Sequence, residues 1–261
     1  MRSNFRVIIA SCKLQIKQSF SRSMFQFCII AYPILAAITF YFIYSGKTDE
    51  TLISYVFLGT AITSMWSSIS FSSAGDIDRE RFMGALEVIF SAPTPFRIIM
   101  FGKVIGNTIL GVASMLISYL VVTLLFHAKF TLVHPVLFFI SMLLGITSFV
   151  FIALLLSGLL AISRNTRILM NCIDFPVFIL CGTYFPIDVL PIWIRPLSYI
   201  LSPTYVLKLA RMCIGGITDF RIFNIHMLGL LIVSLFYLFG YLKFYEIIDI
   251  RARREATLEV V

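Results

Sequence analysis

Charge is what this sequence has little of. Only 13% of its 261 residues are Asp, Glu, Lys or Arg, about half of the roughly 25% typical of soluble globular chains. Apolar residues make up 59% and the mean hydropathy is +0.97. The few charges are bunched, and the stretches between them are long enough to cross a hydrocarbon layer of about 30 Å. This excludes a soluble protein and points to an integral membrane protein. Acids are scarcer than bases, 13 against 21. In a soluble domain a net +8 would suggest nucleic acid. Membrane proteins, however, gather Lys and Arg on the cytoplasmic side, so the excess is read as topology and no nucleic-acid partner is expected.

The patterns that carry chemistry are missing as well. Gly46-Lys47 and Gly102-Lys103 lack the earlier glycine and the following Ser or Thr of a phosphate-cradling loop. There is no HExxH helix and no GxSxG turn, each of which a hydrolase of its class needs to place metal or nucleophile. His127, His134 and His226, with Cys12, Cys28, Cys172, Cys181 and Cys213, show no ligand spacing, so the cysteines read as small apolar residues and no metal is expected. His127 and His134 suit the outer membrane interface. The chain is therefore expected not to be an enzyme, to hold no cofactor, and not to hydrolyse ATP by itself. No cleavable signal peptide is evident, because the basic N-terminus runs on to Arg22 and the apolar run after it is long enough to span.

Charge-free windows mark six expected spans, at about 24–44, 52–74, 104–126, 138–162, 168–187 and 223–242. Six crossings return both ends to one side. That side collects 15 basic residues, among them Arg2, Arg6, Lys13, Lys17, Arg22, Arg79, Arg81, Arg97 and Lys103, against six on the other. By the positive-inside rule both termini are cytoplasmic. Residues 186–221 are too interrupted to cross, since Pro186, Pro191, Pro196 and Pro203 break them into short pieces. Broken backbone at membrane depth persists only under a cover of protein or water, so this stretch is expected to re-enter from the outer side as short helices. Residues 1–23 repeat Phe5, Ile8, Ile9, Cys12, Ile16 and Phe20 at helical spacing beside Arg2, Arg6, Lys13 and Lys17, as in a helix lying in the headgroup layer. The plainer alternative is a basic extension that only fixes topology.

Between the second and third spans, residues 76–103 alternate charged and apolar residues. Asp78 to Phe90 can form a helix with Phe82, Leu86 and Phe90 on one face, stopped by Pro93 and Pro95. With Arg79, Glu80, Arg81 and Glu87 it is either a helix that docks on a partner or a solvated connection. In the fifth span Asp174, with Asn171 one turn earlier, is costly in lipid and should face the bundle interior or water. It reads either as a polar contact on a substrate path or as a helix-to-helix hydrogen bond with a neighbour such as Asn107. Arg164 and Arg167 suit headgroup anchors. Pro33 and Pro176 can kink their spans.

Two runs of residues resemble a known family. RFMGALEVIFSAPTP (81–95), followed by Gly102-Lys103, is similar to the Gly-x-Leu-Glu-x(4)-Ala/Ser-Pro loop of ABC-2 type (type 2 ABC exporter) permeases. LCGTYFPIDVLPIWI (180–194), followed by SPTY (202–205), is similar to that family's Ser-Gly-x-x-Phe-Pro, Leu-Pro-x-Trp and Pro-x-x-Tyr run. Cys181 stands where Ser or Ala is commoner, and the Pro203–Tyr205 spacing is one residue short. The resemblance covers the whole chain as one all-α transmembrane domain, 1–261.

The resemblance implies a cytoplasmic coupling helix at Asp78 to Phe90 that seats on a separate ATPase, with Arg79, Glu80, Arg81 and Glu87 as contacts. In it Gly84 permits close approach, and Pro93 and Pro95 stiffen the return. It implies that Phe185, Pro186, Pro191, Trp193, Pro203 and Tyr205 line the path or its outer gate; Asn171 and Asp174 are path candidates on their polarity alone. ATP and Mg would be bound by the partner ATPase, and a second permease copy or paralogue would complete a dimer in a bacterial inner membrane. The expected cargo is an amphipathic drug or antibiotic, or a lipid-linked one, suggested by 26 Phe, 11 Tyr and 2 Trp. Polysaccharide or teichoic-acid-type export is the alternative, as is a secondary transporter without an ATPase. The latter should show inverted repeats, and no self-similarity between the halves is evident.

Overall fold

The computed structural model describes residues 2–44, 51–85, 88–89, 92, 94–126, 132–162, 168, 176–184 and 186–255, and among them there is no strand. The helices are α1 (Arg2–Phe20), α2 (Ser23–Tyr44), α3 (Thr51–Phe82), α4 (Phe96–Phe126), α5 (Pro135–Ile162), α6 (Arg195–Ile200), α7 (Ser202–Gly215) and α8 (Phe220–Glu255), with a 3-10 turn at Ile187–Val189. Stretches long and apolar enough to cross a membrane occur at Phe25–Phe42, Phe96–Leu124, Pro135–Leu159 and Phe220–Glu246. They coincide with the first, third, fourth and sixth expected spans. The second coincides with α3. Of the fifth, 169–175 and 185 lie outside the described residues, and the part at 176–180 is helical.

Several helices overrun the charge-free windows. α4 begins at Phe96, well before 104, and α3 continues to Phe82 rather than stopping near 74. Charged residues usually mark span ends, but here Glu80 on α3 and Lys103 on α4 form a buried ion pair, which lets both helices carry charge past the apolar window. At about 1.5 Å per residue, the 32 residues of α3 are far longer than a hydrocarbon core needs. Pro33 lies inside α2, which continues through it.

α3 is the hub. Every residue from Phe57 to Ile69 is buried, because α2, α4, α5 and α7 all pack along it. Trp66 meets the edge of Phe149 with ring centroids 6.1 Å apart, and Ser64 and Ser118 share a 3.0 Å hydrogen bond between antiparallel α3 and α4. α8, by contrast, exposes Leu228, Ile232, Leu235, Phe236 and Phe239 along one side, the apolar band that lipid requires.

Helix ends sort into two groups. At one end Phe96 of α4 stacks on Tyr245 of α8 with centroids 5.6 Å apart, Tyr245 Oη lies 2.8 Å from Ser157 Oγ of α5, and Tyr241 Oη donates to the Arg97 carbonyl at 3.1 Å. The C-terminal end of α3 and all of α1 lie here too. At the other end the His134 amide donates to the Cys213 carbonyl at 3.2 Å, and the His134 and Phe220 rings are 6.0 Å apart.

Between these ends α6 and α7 form a V. Tyr237 Oη donates to the Ile200 carbonyl at 2.6 Å, which puts the tip of the V beside a residue about 25 Å along α8 from its start. α7 then climbs back to Cys213. Thr204 Oγ1 donates to the Ser198 carbonyl at 2.6 Å, satisfying backbone at the tip as membrane depth demands. Gly145 and Gly229 admit Val206 and Tyr205; a Cβ on Gly229 would lie 2.4 Å from the Tyr205 ring. Within 186–221, where short helices are expected, the chain forms a V at 195–215, preceded by the 3-10 turn.

Candidate functional site

The densest polar chemistry lies at the end that holds α1. Asp76 of α3 is 3% exposed and accepts hydrogen bonds from Gln15 Nε2, from Arg22 Nη2 and, at 3.2 Å, from Asn107 Nδ2 of α4. Gln15 Nε2 also donates to Asn107 Oδ1 at 2.8 Å and to Ser19 Oγ at 3.2 Å. One turn further along α3, Glu80 pairs with Lys103, itself one turn before Asn107. Two helical turns of α3 therefore face two of α4, and α1 supplies the third side. A buried carboxylate is tolerable only when it is paired and hydrogen-bonded in this way.

Glycine lets α1 reach the cluster. Gly102 and Gly106 form a small-residue groove on α4: a Cβ at Gly102 would stand 2.7 Å from the Ile8 carbonyl oxygen, and one at Gly106 3.0 Å from that of Cys12. Such grooves let helix backbones approach closely. α1 turns Ser11, Gln15 and Ser19 into the contact, leaving Phe5, Ile9, Leu14 and Phe20 exposed. The protein-facing side of α1 is thus polar rather than apolar.

The helix expected over Asp78 to Phe90 is not one element. Residues 78–82 continue α3, and the chain then turns at Met83 and Gly84, where Gly84 has φ +66°. The physical reason is glycine's access to the left-handed region, which other residues enter at a cost. Helical geometry resumes at 85 and 88–89. Glu80, expected to face a partner, is turned inward to Lys103, and Arg79 Nη1 is buried without a hydrogen-bond partner among the described residues. Arg81 is partly buried. Glu87 and Pro93 lie outside the described residues, and Pro95 leads into α4. What projects is apolar: Phe82 is 93% exposed, Met83 62% and Val88 69%.

Gly84 has open space around it, with nothing within 4 Å of a built Cβ, so a substitution there meets strain but no collision. Gly84→Val is expected to loosen the turn, costing about 1–2 kcal/mol. Gly84→Asn, which tolerates the left-handed region, should be milder. Amide hydrogen exchange across 79–89 checks this: faster exchange in the valine variant than in the asparagine variant is the expected order.

At the opposite end the proline-rich run is built as a cap. Gly182, at φ +76°, ends the helical piece at 176–180, and its carbonyl accepts from Arg211 Nη2 of α7 at 2.9 Å. Pro186 precedes the 3-10 turn Ile187–Val189, and Pro191 follows that turn. Arg195 Nε and Nη2 hold the carbonyls of Leu190 and Asp188 at 2.9 and 2.6 Å. Pro203 is buried in the first turn of α7, a position that needs no amide donor. Tyr205 packs between Tyr199 and His226, with ring centroids 6.1 and 6.2 Å away. Trp193 is 77% exposed. Asn171, Asp174 and Phe185 lie outside the described residues. Asn107, considered as a partner for Asp174, bonds to Gln15 and Asp76.

The cluster of Gln15, Arg22, Asp76, Lys103 and Asn107 was not singled out from the sequence. Its one local trace is Asp76 and Asn107 as polar residues at the ends of adjacent apolar runs. Comparison with curated proteins finds no match. The family profile described as ABC-2 type transporter does match, over residues 6–215, from within α1 to the last residue of α7, taking in the charged cluster, the Gly84 turn and the V of α6 and α7. The chain belongs to the ABC-2 type transporter family and is a membrane-spanning transport component.

Proposed function

We propose that this chain is the permease half of an ATP-driven exporter, working as a homodimer or with a related permease, and driven by separate ATPase subunits seated at the α1 end. The observation that carries this reading is the exposed apolar tip, Phe82, Met83 and Val88, set beside Asp76, Glu80 and Lys103, whose charges are turned inward. Such a tip fits an apolar groove on a partner, and the buried pairs behind it supply the stiffness needed to pass a push into α3 and α4. Both termini then lie in the cytoplasm of a bacterial cell, and the V of α6 and α7 closes the outer half of the path. The aromatic-rich, charge-poor spans favour an amphipathic drug or antibiotic, or a lipid-linked molecule, as cargo.

The test is co-purification from native membranes in mild detergent. The wild-type chain should bring an ATPase subunit with it, and Phe82→Ala with Met83→Ala should lower the amount recovered at least tenfold. Because both side chains are exposed, the chain itself should fold and insert as before. Equal recovery of ATPase by both would move the contact away from this tip. No ATPase with either would favour a secondary transporter.

A further inference from the structure

A second site lies at the α1 end, apart from the Gly84 turn. Between the start of α4 and the last part of the α8 apolar stretch is a half-open groove of about 490 Å³, within the roughly 300–1,000 Å³ of ligand pockets. Its floor is rigid and apolar: Tyr245 is stacked on Phe96 and bonded to Ser157, and Pro95, Phe239 and Leu242 make the walls. Its rim is charged. Arg97 and Lys243 are exposed, and Glu246 is the one acid among the lining residues. Lys243 Nζ lies 5.9 Å from the Phe239 ring centroid, over the apolar wall. Among the described residues neither cation forms an ion pair.

Depth adds the second argument. Lys243 and Glu246 lie at the very end of the apolar stretch Phe220–Glu246, and Arg97 lies at the very start of Phe96–Leu124. Both helices thus place the rim at the boundary between hydrocarbon and headgroups. The exposed Phe236, Leu235 and Ile232 continue the apolar wall into the hydrocarbon. A cationic rim above an apolar channel open to lipid has the chemistry of an amphiphile that carries a phosphate.

We propose that this groove binds one anionic phospholipid, its phosphate between Arg97 and Lys243 and an acyl chain along Phe239 and Leu242. The site stands independently of the exporter reading, since a lipid can be retained whether or not an ATPase docks. Basic residues near an anionic membrane surface contribute about 1 kcal/mol each, roughly a fivefold preference per cation.

The full chain is reconstituted in phosphatidylcholine vesicles containing a minor fraction of phosphatidylglycerol, extracted gently, and its retained lipids counted by native mass spectrometry. The wild type should retain phosphatidylglycerol over phosphatidylcholine. Arg97→Gln with Lys243→Gln should lower that preference about 25-fold, and Glu246→Gln should raise it. Phe239→Ala should weaken retention of both lipids alike. An unchanged preference in the double variant, with the chain folded, overturns the proposal. So does complete displacement of phosphatidylglycerol by inorganic phosphate, which would make this a site for the free ion.

Discussion

Lys103→Ala is expected to destabilise the folded chain by about 3–5 kcal/mol, the scale seen when one partner of a buried ion pair is removed. The Lys103 side chain is 5% exposed and that of Glu80 12%, so water cannot take over the lost contact. Among the described residues Glu80 Oε2 already has no hydrogen-bond partner, and the Asp76 carboxylate lies one helical turn away. The abandoned carboxylate would therefore be both desolvated and repelled. Glu80→Gln combined with Lys103→Met removes the stranded charge and should recover most of the loss, because replacing both partners of a buried pair is often close to neutral. Unfolding midpoints in detergent for the wild type, Glu80→Gln, Lys103→Met and the double variant close a double-mutant cycle, with Lys103→Ala measured beside them. A Lys103→Ala chain as stable as the wild type would show that the pair contributes nothing to the fold.

The second large effect is expected at Gly102. Its added Cβ would meet the Ile8 carbonyl at 2.7 Å and the Ser11 Cβ at 2.8 Å, and a backbone carbonyl cannot swing aside as a side-chain tip can. Gly102→Val should push α1 off α4 at a cost of about 1–3 kcal/mol, the usual range for overpacking, and Gln15 would leave Asp76 and Asn107 with it. The direct readout is maleimide labelling at Ser11→Cys, a position 9% exposed in the native chain. Labelling should rise severalfold when Gly102→Val is added. Unchanged labelling in a folded protein would mean that the glycine groove does not hold α1.

Apolar length was the most legible part of this fold in the sequence. The windows at 24–44, 138–162 and 223–242 lie within α2, α5 and α8, because a run of apolar residues between charges is a local property. Prolines likewise announced the V, since each one removes an amide donor that a crossing helix would need. The start of α4 was misplaced because Arg97 and Lys103 look like span ends until Lys103 is seen to be neutralised by a residue on another helix. The same holds for Glu80: nothing local separates a glutamate that faces a partner from one that faces inward. Gln15, Asp76 and Asn107 come from three distant segments, and only the packing of α1 on Gly102 and Gly106 brings them together. For Gly84 the resemblance implies close approach to a partner; its left-handed turn, which divides the expected helix, shows only in the backbone.

The burial of α3 also has a consequence for how the chain is made. Synthesised second among the expected spans, α3 carries Thr60, Thr63, Ser64, Ser67 and Ser68 between Phe57 and Ile69, all of them buried in the finished protein. Part of its cover, α7, begins only at Ser202. During synthesis these hydroxyls must wait for that cover, and until then their ready partners are the carbonyls of their own helix. A chain that stops short of Ser202 would keep one flank of its central helix in that provisional state, open to whatever apolar or hydroxyl-bearing surface the membrane offers first.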